Sequence, residues 1–322
     1  MYRVVRMLLP LGLFVFAAVD GLAQSYPVKP VRLIVPYPPG GGTDIIARIV
    51  GQKLSEGFGQ QIIIDNRGGA GGTIGTDVVA KSAPDGYTLL MAPTSHVINP
   101  SIYSRLPYDT VKDFAPITLA ASATILLVVH PSVPVRSVKE LIALAKARPD
   151  QLNFGSAGNG TVFHLTGELF KRQAGISIIH VPFKGGGPTV ANLVAGQISA
   201  SFETMLALQP FVKAGKARAL AVTSAQRSWV MPELPTIAEL GFRSIVAENW
   251  YGFYAPSATS RDVVGKVNAD IVKILRMPDI KERFQGQGTE VIGSTPEQLS
   301  EYVRTEMEKW SRTAKEAGAR VD

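Results

Sequence analysis

The hydrophobic pattern passes four times through one cycle: a short apolar run, a loop dense in glycine, then apolar residues at helical spacing. In the first cycle residues 31–35 form a β run. Pro36-Tyr-Pro-Pro-Gly-Gly-Gly follows, and Ile45, Ile46, Ile49, Val50 and Leu54 then recur with a helical period. The later cycles carry the loops Arg67-Gly-Gly-Ala-Gly-Gly-Thr, Gly155-Ser-Ala-Gly-Asn-Gly-Thr and Phe183-Lys-Gly-Gly-Gly-Pro-Thr. Glycine lets backbone approach a ligand closely, because no Cβ intervenes. A loop feeding a helix start aims free N–H groups and the positive end of the helix at one spot, which suits an anion. One such loop is an ordinary βα turn; a set of four points to a ligand.

Between and beyond these cycles, residues 87–91 read as a strand and residues 76–81 as a helix closed by Pro84-Asp-Gly. Ala92-Pro-Thr-Ser-His-Val-Ile-Asn-Pro reads as a loop at a strand's carboxyl end, where open parallel sheets collect ligands. Residues 117–130 are long, apolar and β-branched, as a strand crossing between two lobes would be. A helix is predicted over 137–148, strands over 198–203 and 219–223, and a short helix over 236–240. Trp250-Tyr-Gly-Phe-Tyr-Ala-Pro supplies a second crossover. The remainder turns helical over 262–275, 278–285 and 296–317, with a short strand at 289–292. Strands alternating with helices predict an α/β protein of two lobes, each a mainly parallel sheet flanked by helices, with a cleft between. Two crossovers make the first lobe discontinuous, residues 24–124 with 248–322, and leave 125–247 as the second.

Composition narrows the chemistry. The 322 residues contain no cysteine, which removes disulfides, thiolate zinc sites and cysteine nucleophiles. Arg3 and Arg6, an apolar run over residues 7–19 and Gly21-Leu-Ala23 read as a secretory signal covering residues 1–23. The run is too short for the roughly 20 residues of a membrane span, so the mature protein is expected to be exported to the periplasm. The net charge of +7 favours anionic ligands in the encounter step. Lys and Arg are scattered singly among acidic residues, which argues against nucleic acid.

Several stretches together resemble the Bug (Bordetella uptake gene) family, the periplasmic solute-binding proteins of tripartite tricarboxylate transporters. They are Tyr26-Pro-Val-Lys-Pro-Val-Arg, Pro36-Tyr-Pro-Pro-Gly-Gly-Gly-Thr-Asp44, Arg67-Gly-Gly-Ala-Gly-Gly72, Pro84-Asp-Gly-Tyr-Thr-Leu, Asn99-Pro, Asp113-Phe-Ala-Pro-Ile, Gly155-Ser-Ala-Gly-Asn-Gly-Thr with His164, Val181-Pro-Phe-Lys-Gly-Gly-Gly-Pro and Lys213-Ala-Gly-Lys-Ala-Arg-Ala-Leu-Ala-Val-Thr. Their order and spacing carry the likeness over nearly the whole mature chain. The resemblance implies a type II periplasmic binding fold. It also implies a small carboxylate gripped between the lobes by main-chain N–H groups and ordered waters, no cofactor or metal, a monomer, and a membrane permease as partner. One departure stands out: Gly196-Gln-Ile-Ser-Ala-Ser-Phe-Glu203 has Ser199 and Glu203 where the family usually carries aspartates.

The expected ligand residues of the first lobe are Tyr37, Pro39, Gly40, Gly41, Gly42, Thr43, Asp44, Gly71, Gly72, Thr94 and Ser95. Those of the second are Ser156, Ala157, Gly158, Gly160, Thr161, His164, Lys184, Gly185 and Glu203. Thr43 and Asp44 also suit helix capping, and an Asp44 carboxylate beside an anion should face away from it. The hydroxyls of Thr94 and Ser95 are candidate donors, and Lys184 either meets a distal carboxylate or sits in water. His96 reads as an imidazole hydrogen-bonded to a neighbouring loop. His164 and Glu168 share a helix face, which permits a rival reading: an exported enzyme acting on an acidic or phosphorylated substrate. No nucleophile is placed beside them, so no catalytic residue is assigned. A third reading is a sensor that docks on a receptor.

Overall fold

The structure, a computed structural model, describes residues 26–321; the predicted signal lies outside them. The glycine cycles become βα units. β1 (Val31–Val35) leads to α1 (Gly42–Phe58), β2 (Ile62–Asn66) to α2 (Thr73–Ala80), and β3 (Thr88–Pro93) to α3 (Ser95–Ile102). β1 lies between β2 and β3, parallel to both. α1 buries Ile46, Ile49, Val50 and Leu54 against this sheet, as their period predicts.

β4 (Phe114–Val129) is the crossover, and its side chains are buried from Ile117 onward. α4 (Val138–Ala147), β5 (Asn153–Ser156), α5 (Val162–Ala174), β6 (Ile179–Pro182), α6 (Gly186–Val194), β7 (Ala200–Thr204), α7 (Met205–Lys213) and β8 (Arg218–Val222) follow. The chain returns through β9 (Glu248–Pro256) and ends in α8 (Arg261–Leu275), α9 (Pro278–Gln285), β10 (Thr289–Val291) and α10 (Pro296–Ala317). The sheet order is β2-β1-β3-β9-β4-β7-β5-β6, with β10 and β8 also paired to β4. From Phe114 to Thr124, β4 pairs with β9; from Ile125 to Val129 it pairs with β7. One strand therefore belongs to two sheets.

The wings are parallel, but every pairing of β4 and β9 is antiparallel. A chain that crosses out on one strand and returns on another must reverse direction there. Two further differences from the sequence reading have local causes. Residues 92–100 are expected as loop, yet from Ser95 onward they belong to α3, despite Pro100. Pro100 cannot donate to His96 O, and Thr110 Oγ1 donates to that carbonyl instead, at 3.4 Å. Residues 236–240, expected as a helix, form turns, because Ile237 N–H is bonded to Val222 O at the edge of the sheet.

α10 starts with a capping box, Thr295 and Gln298 each bonding the other's backbone, and packs on α3, α5 and β4. Its Glu306 accepts from the indoles of Trp250 and Trp310, at 3.0 and 2.8 Å. Among the described residues no helix is long and apolar enough to cross a membrane.

Candidate functional site: two opposed helix starts

α1 and α6 both begin on glycine, with Gly41 and Gly185 as N-caps, and neither cap supplies a side-chain acceptor. The first amides of a helix have no partner inside it, so these two N-termini keep N–H groups available. By contrast α5 is capped: Thr161 Oγ1 accepts from His164 N–H at 3.3 Å. The two uncapped starts meet. A Cβ built on Gly41 would lie 3.3 Å from Gly186 Cα, and one on Gly187 would lie 2.1 Å from Pro39 O. Backbone from the β1 loop thus rests on backbone from the β6 loop, a contact that only glycine permits.

Beside this contact lies a narrow pocket, closed down to about 20 Å³. Tyr37, Gly41, Gly42, Thr43, Pro93, Ser95 and Asn249 line it from one side of the crossover. Ala157, Thr161, Val162, Phe163, Gly186 and Glu203 line it from the other. Tyr37 is fixed at its tip, where its hydroxyl donates to Gly71 O at 2.8 Å and lies 2.7 Å from Ser95 Oγ. Burial holds its phenol above the ordinary range, so it stays neutral.

Glu203, at the carboxyl end of β7, is the acid of the pocket and is 1% exposed. Its Oε1 accepts from Thr204 N–H at 2.8 Å and Thr204 Oγ1 at 3.1 Å. Its Oε2 has no hydrogen-bond partner among the described residues. That oxygen points at the α6 start, 2.6 Å from where a Gly186 Cβ would stand. Burial pushes the carboxyl up to about 7, against the lowering effect of the Thr204 bonds.

The remaining expected residues build the walls rather than the lining. Asp44 accepts from Gly40 N–H at 3.1 Å, from Asn66 Nδ2 at 3.0 Å and from Arg48, so its carboxylate faces away from the pocket. Neither Thr43 nor Asp44 is the cap of α1; that position is Gly41. Gly72 packs behind the Tyr37 ring, and a Cβ on Gly71 would meet Asn159 O at 2.8 Å. Gly158 has φ +122°, and a Cβ on Gly160 would strike Ile102, so this loop also needs its glycines. Gly160 N–H donates to His164 Nδ1 at 3.3 Å, and Ser156 Oγ lies 2.7 Å from His180 Nε2. The two imidazoles stack at 4.3 Å, and burial lowers the pKa of both.

His164, Glu168 and His180 bring their donor atoms within 4.8 Å of one another. Each is already engaged, Glu168 by Lys171 at 2.9 Å, and none lines the pocket. Thr94 Oγ1 accepts from Trp250 N–H at 2.9 Å, which ties β3 to β9 and turns the hydroxyl from the pocket. Lys184 is exposed. Among the described residues neither ring nitrogen of His96 has a well-formed hydrogen bond; the ring packs on Tyr108, Phe114 and Tyr254.

The expected residues leave out five that line the pocket: Pro93, Val162, Phe163, Asn249 and, within the fourth glycine loop, Gly186. Val162 and Phe163 directly follow the third glycine loop, and the helix start itself was the available signal. Asn249 precedes the second crossover, and nothing local marks it as a wall residue.

The profile described as "Tripartite tricarboxylate transporter family receptor" matches residues 46–319. Protein BugT of Bordetella pertussis is 36% identical over 98% of each chain. Among solved structures, Rpa4515 of R. palustris, with adipate, has a TM-score of 0.89 and 36% identity over 92% of this chain and 100% of that one. MatC of Rhodopseudomonas palustris, with bound malate, has a TM-score of 0.85 and 31% identity over 89% of this chain and 99% of that one.

Proposed function

The chain belongs to the tripartite tricarboxylate transporter receptor family, and from that premise we propose that it is an exported, periplasmic protein that captures a small mono- or dicarboxylate by closing two lobes. One observation carries the reading: two uncapped helix starts, one from each side of the β4 crossover, face each other at Gly41 and Gly186 beside a shared pocket. A carboxylate removed from water needs several donors, and opposed amides supply them without burying a lone cation. The adipate and malate held by the two Rhodopseudomonas relatives agree with this chemistry.

The lobes are residues 24–124 with 248–322, and residues 125–247. This division is supported by β4 exchanging β9 for β7 between Thr124 and Ile125. Both lobes donate to one ligand, so its binding energy selects the closed state. The loaded protein then delivers its cargo to the membrane subunits of a tripartite transporter. No chemical step is assigned, since His164 and Glu168 serve the loop and a neighbouring lysine.

A thermal-shift panel of dicarboxylates, hydroxy acids, amino acids and aromatic acids tests the reading. At least one acid should raise the melting temperature, following RT ln(1 + [L]/Kd), and should be recovered unchanged. A panel without any shift, or a converted product, would overturn it. Loss of uptake on gene deletion separates transport from receptor signalling.

A further inference from the structure

The pocket that receives an anion contains a buried acid of its own, and the two facts have to be reconciled. Glu203 lies between the closed helix starts with one oxygen satisfied and the other unpartnered. We propose that Glu203 takes part as a neutral carboxylic acid, donating an Oε2–H bond to an oxygen of the bound carboxylate, so that wherever the empty site holds Glu203 ionised, each anion captured brings one proton from solvent into the closed protein. The proposal rests on the carboxylate-binding reading and adds to it the protonation state of the complex.

Geometry decides which oxygen carries the proton. Oε1 is occupied as an acceptor by two Thr204 donors, so only Oε2 is free to hold hydrogen. Oε2 faces Gly186 at the start of α6, where the ligand's oxygens would gather. Two ionised carboxylates in one buried site repel strongly, whereas an acid donating to a carboxylate makes a short, charge-assisted bond.

The surroundings offer no other way to balance the charge. β5, α6 and β4 from Ile125 to Val129 carry no ionisable side chain. α7 has only Lys213, at its far end. On α5, His164 is turned to Gly160 and His180, and Glu168 is paired with Lys171. On α1, Asp44 and Arg48 satisfy each other. Tyr37 and Tyr251 feel the Glu203 charge, and burial keeps both phenols neutral. Burial has already brought Glu203 to about 7, and an anion at the same helix starts raises it further. The amides there serve anions, and Glu203 alone could hold an ammonium. Ligands that need an anionic partner for an amine are therefore disfavoured.

Because ligand binding raises the pKa of the acid, affinity is fully present below the free-state value and declines above it. Isothermal titration of adipate, and separately malate, into the mature protein in buffers of different ionisation enthalpy counts the protons. We expect uptake close to one proton per anion at about pH 8.5, falling as the pH drops below the pKa of Glu203 in the unliganded protein, with affinity dropping about tenfold per unit above that pKa. In Glu203→Gln the uptake should disappear. The wild-type proton count stands by itself if that variant folds poorly. Binding without proton uptake at high pH, uptake that survives in Glu203→Gln, or aspartate binding with proton release would each overturn the proposal while leaving the carboxylate site standing. If neither dicarboxylate binds at any pH, and the thermal panel is also silent, the functional reading falls and this inference with it.

Discussion

Asp44 is only 3% exposed, yet each of its carboxylate oxygens has two donors, drawn from Gly40, Arg48 and Asn66. It holds the first glycine loop in shape from behind. Asp44→Ala would take the acceptor from the Gly40 N–H and the half-buried Asn66 amide, while the exposed Arg48 can turn to water, at a cost of about 1–2 kcal/mol. Urea unfolding should show that loss, and carboxylate affinity should fall with it as the Gly40 N–H goes unheld. His96 makes a second prediction. Burial among aromatic rings lowers its pKa from 6.5 to about 4. On acidification the unfolded chain takes up the proton first, so the stability His96 confers is full above pH 6.5 and is lost as pH falls toward 4. The window corresponds to roughly 3 kcal/mol. His96→Phe should flatten that part of the pH–stability curve, and the difference from wild type isolates His96 from His164 and His180, which titrate in the same direction. Identical curves would exclude the assignment.

At the scale of elements, the three helix starts that line the pocket differ in capping: α1 and α6 begin on glycine without a side-chain cap, whereas α5 is capped. α5 is closed by Thr161, whose hydroxyl also donates to Gly158 O at 2.7 Å. Thr161→Ala should cost about 1 kcal/mol in chemical denaturation, and should loosen the Gly158–Gly160 turn that borders the site. The glycine-cycle helices were legible because strand, loop and helix are local patterns with their own periods. α3 was not: its residues follow a strand's carboxyl end, where a loop is expected, Pro100 lies within it, and the donor to the His96 carbonyl is Thr110, on a later segment. The same limit applies to the pocket. Gly41 could be read as a loop residue, but its opposition to Gly186 depends on a crossover between segments far apart in the chain, as does the placement of Asn249. Glu203 was recognisable as an acid at a strand end; the free oxygen and its direction belong to tertiary structure.

For the whole molecule, the proposed closure depends on how closely two backbones can approach. Gly41 has φ −87° and ψ 168°, values open to any residue, so a side chain there imposes no backbone strain. What it would meet is the other lobe, Gly186 Cα at 3.3 Å and Gly187 N at 3.4 Å. Gly41→Val therefore adds branched carbon where the backbone starts of α1 and α6 meet. The unliganded variant should unfold at nearly the wild-type denaturant concentration, because an open arrangement has room for the valine. Its carboxylate-induced thermal shift should vanish, since only the closed arrangement joins both sets of amides on one anion. Small-angle scattering gives the independent measure: wild type should contract when a stabilising carboxylate is added, while Gly41→Val should keep its unliganded dimensions. A variant that still contracts and still gains stability would mean that the contact between Gly41 and Gly186 is not the closing surface, and that the anion is held within a single lobe.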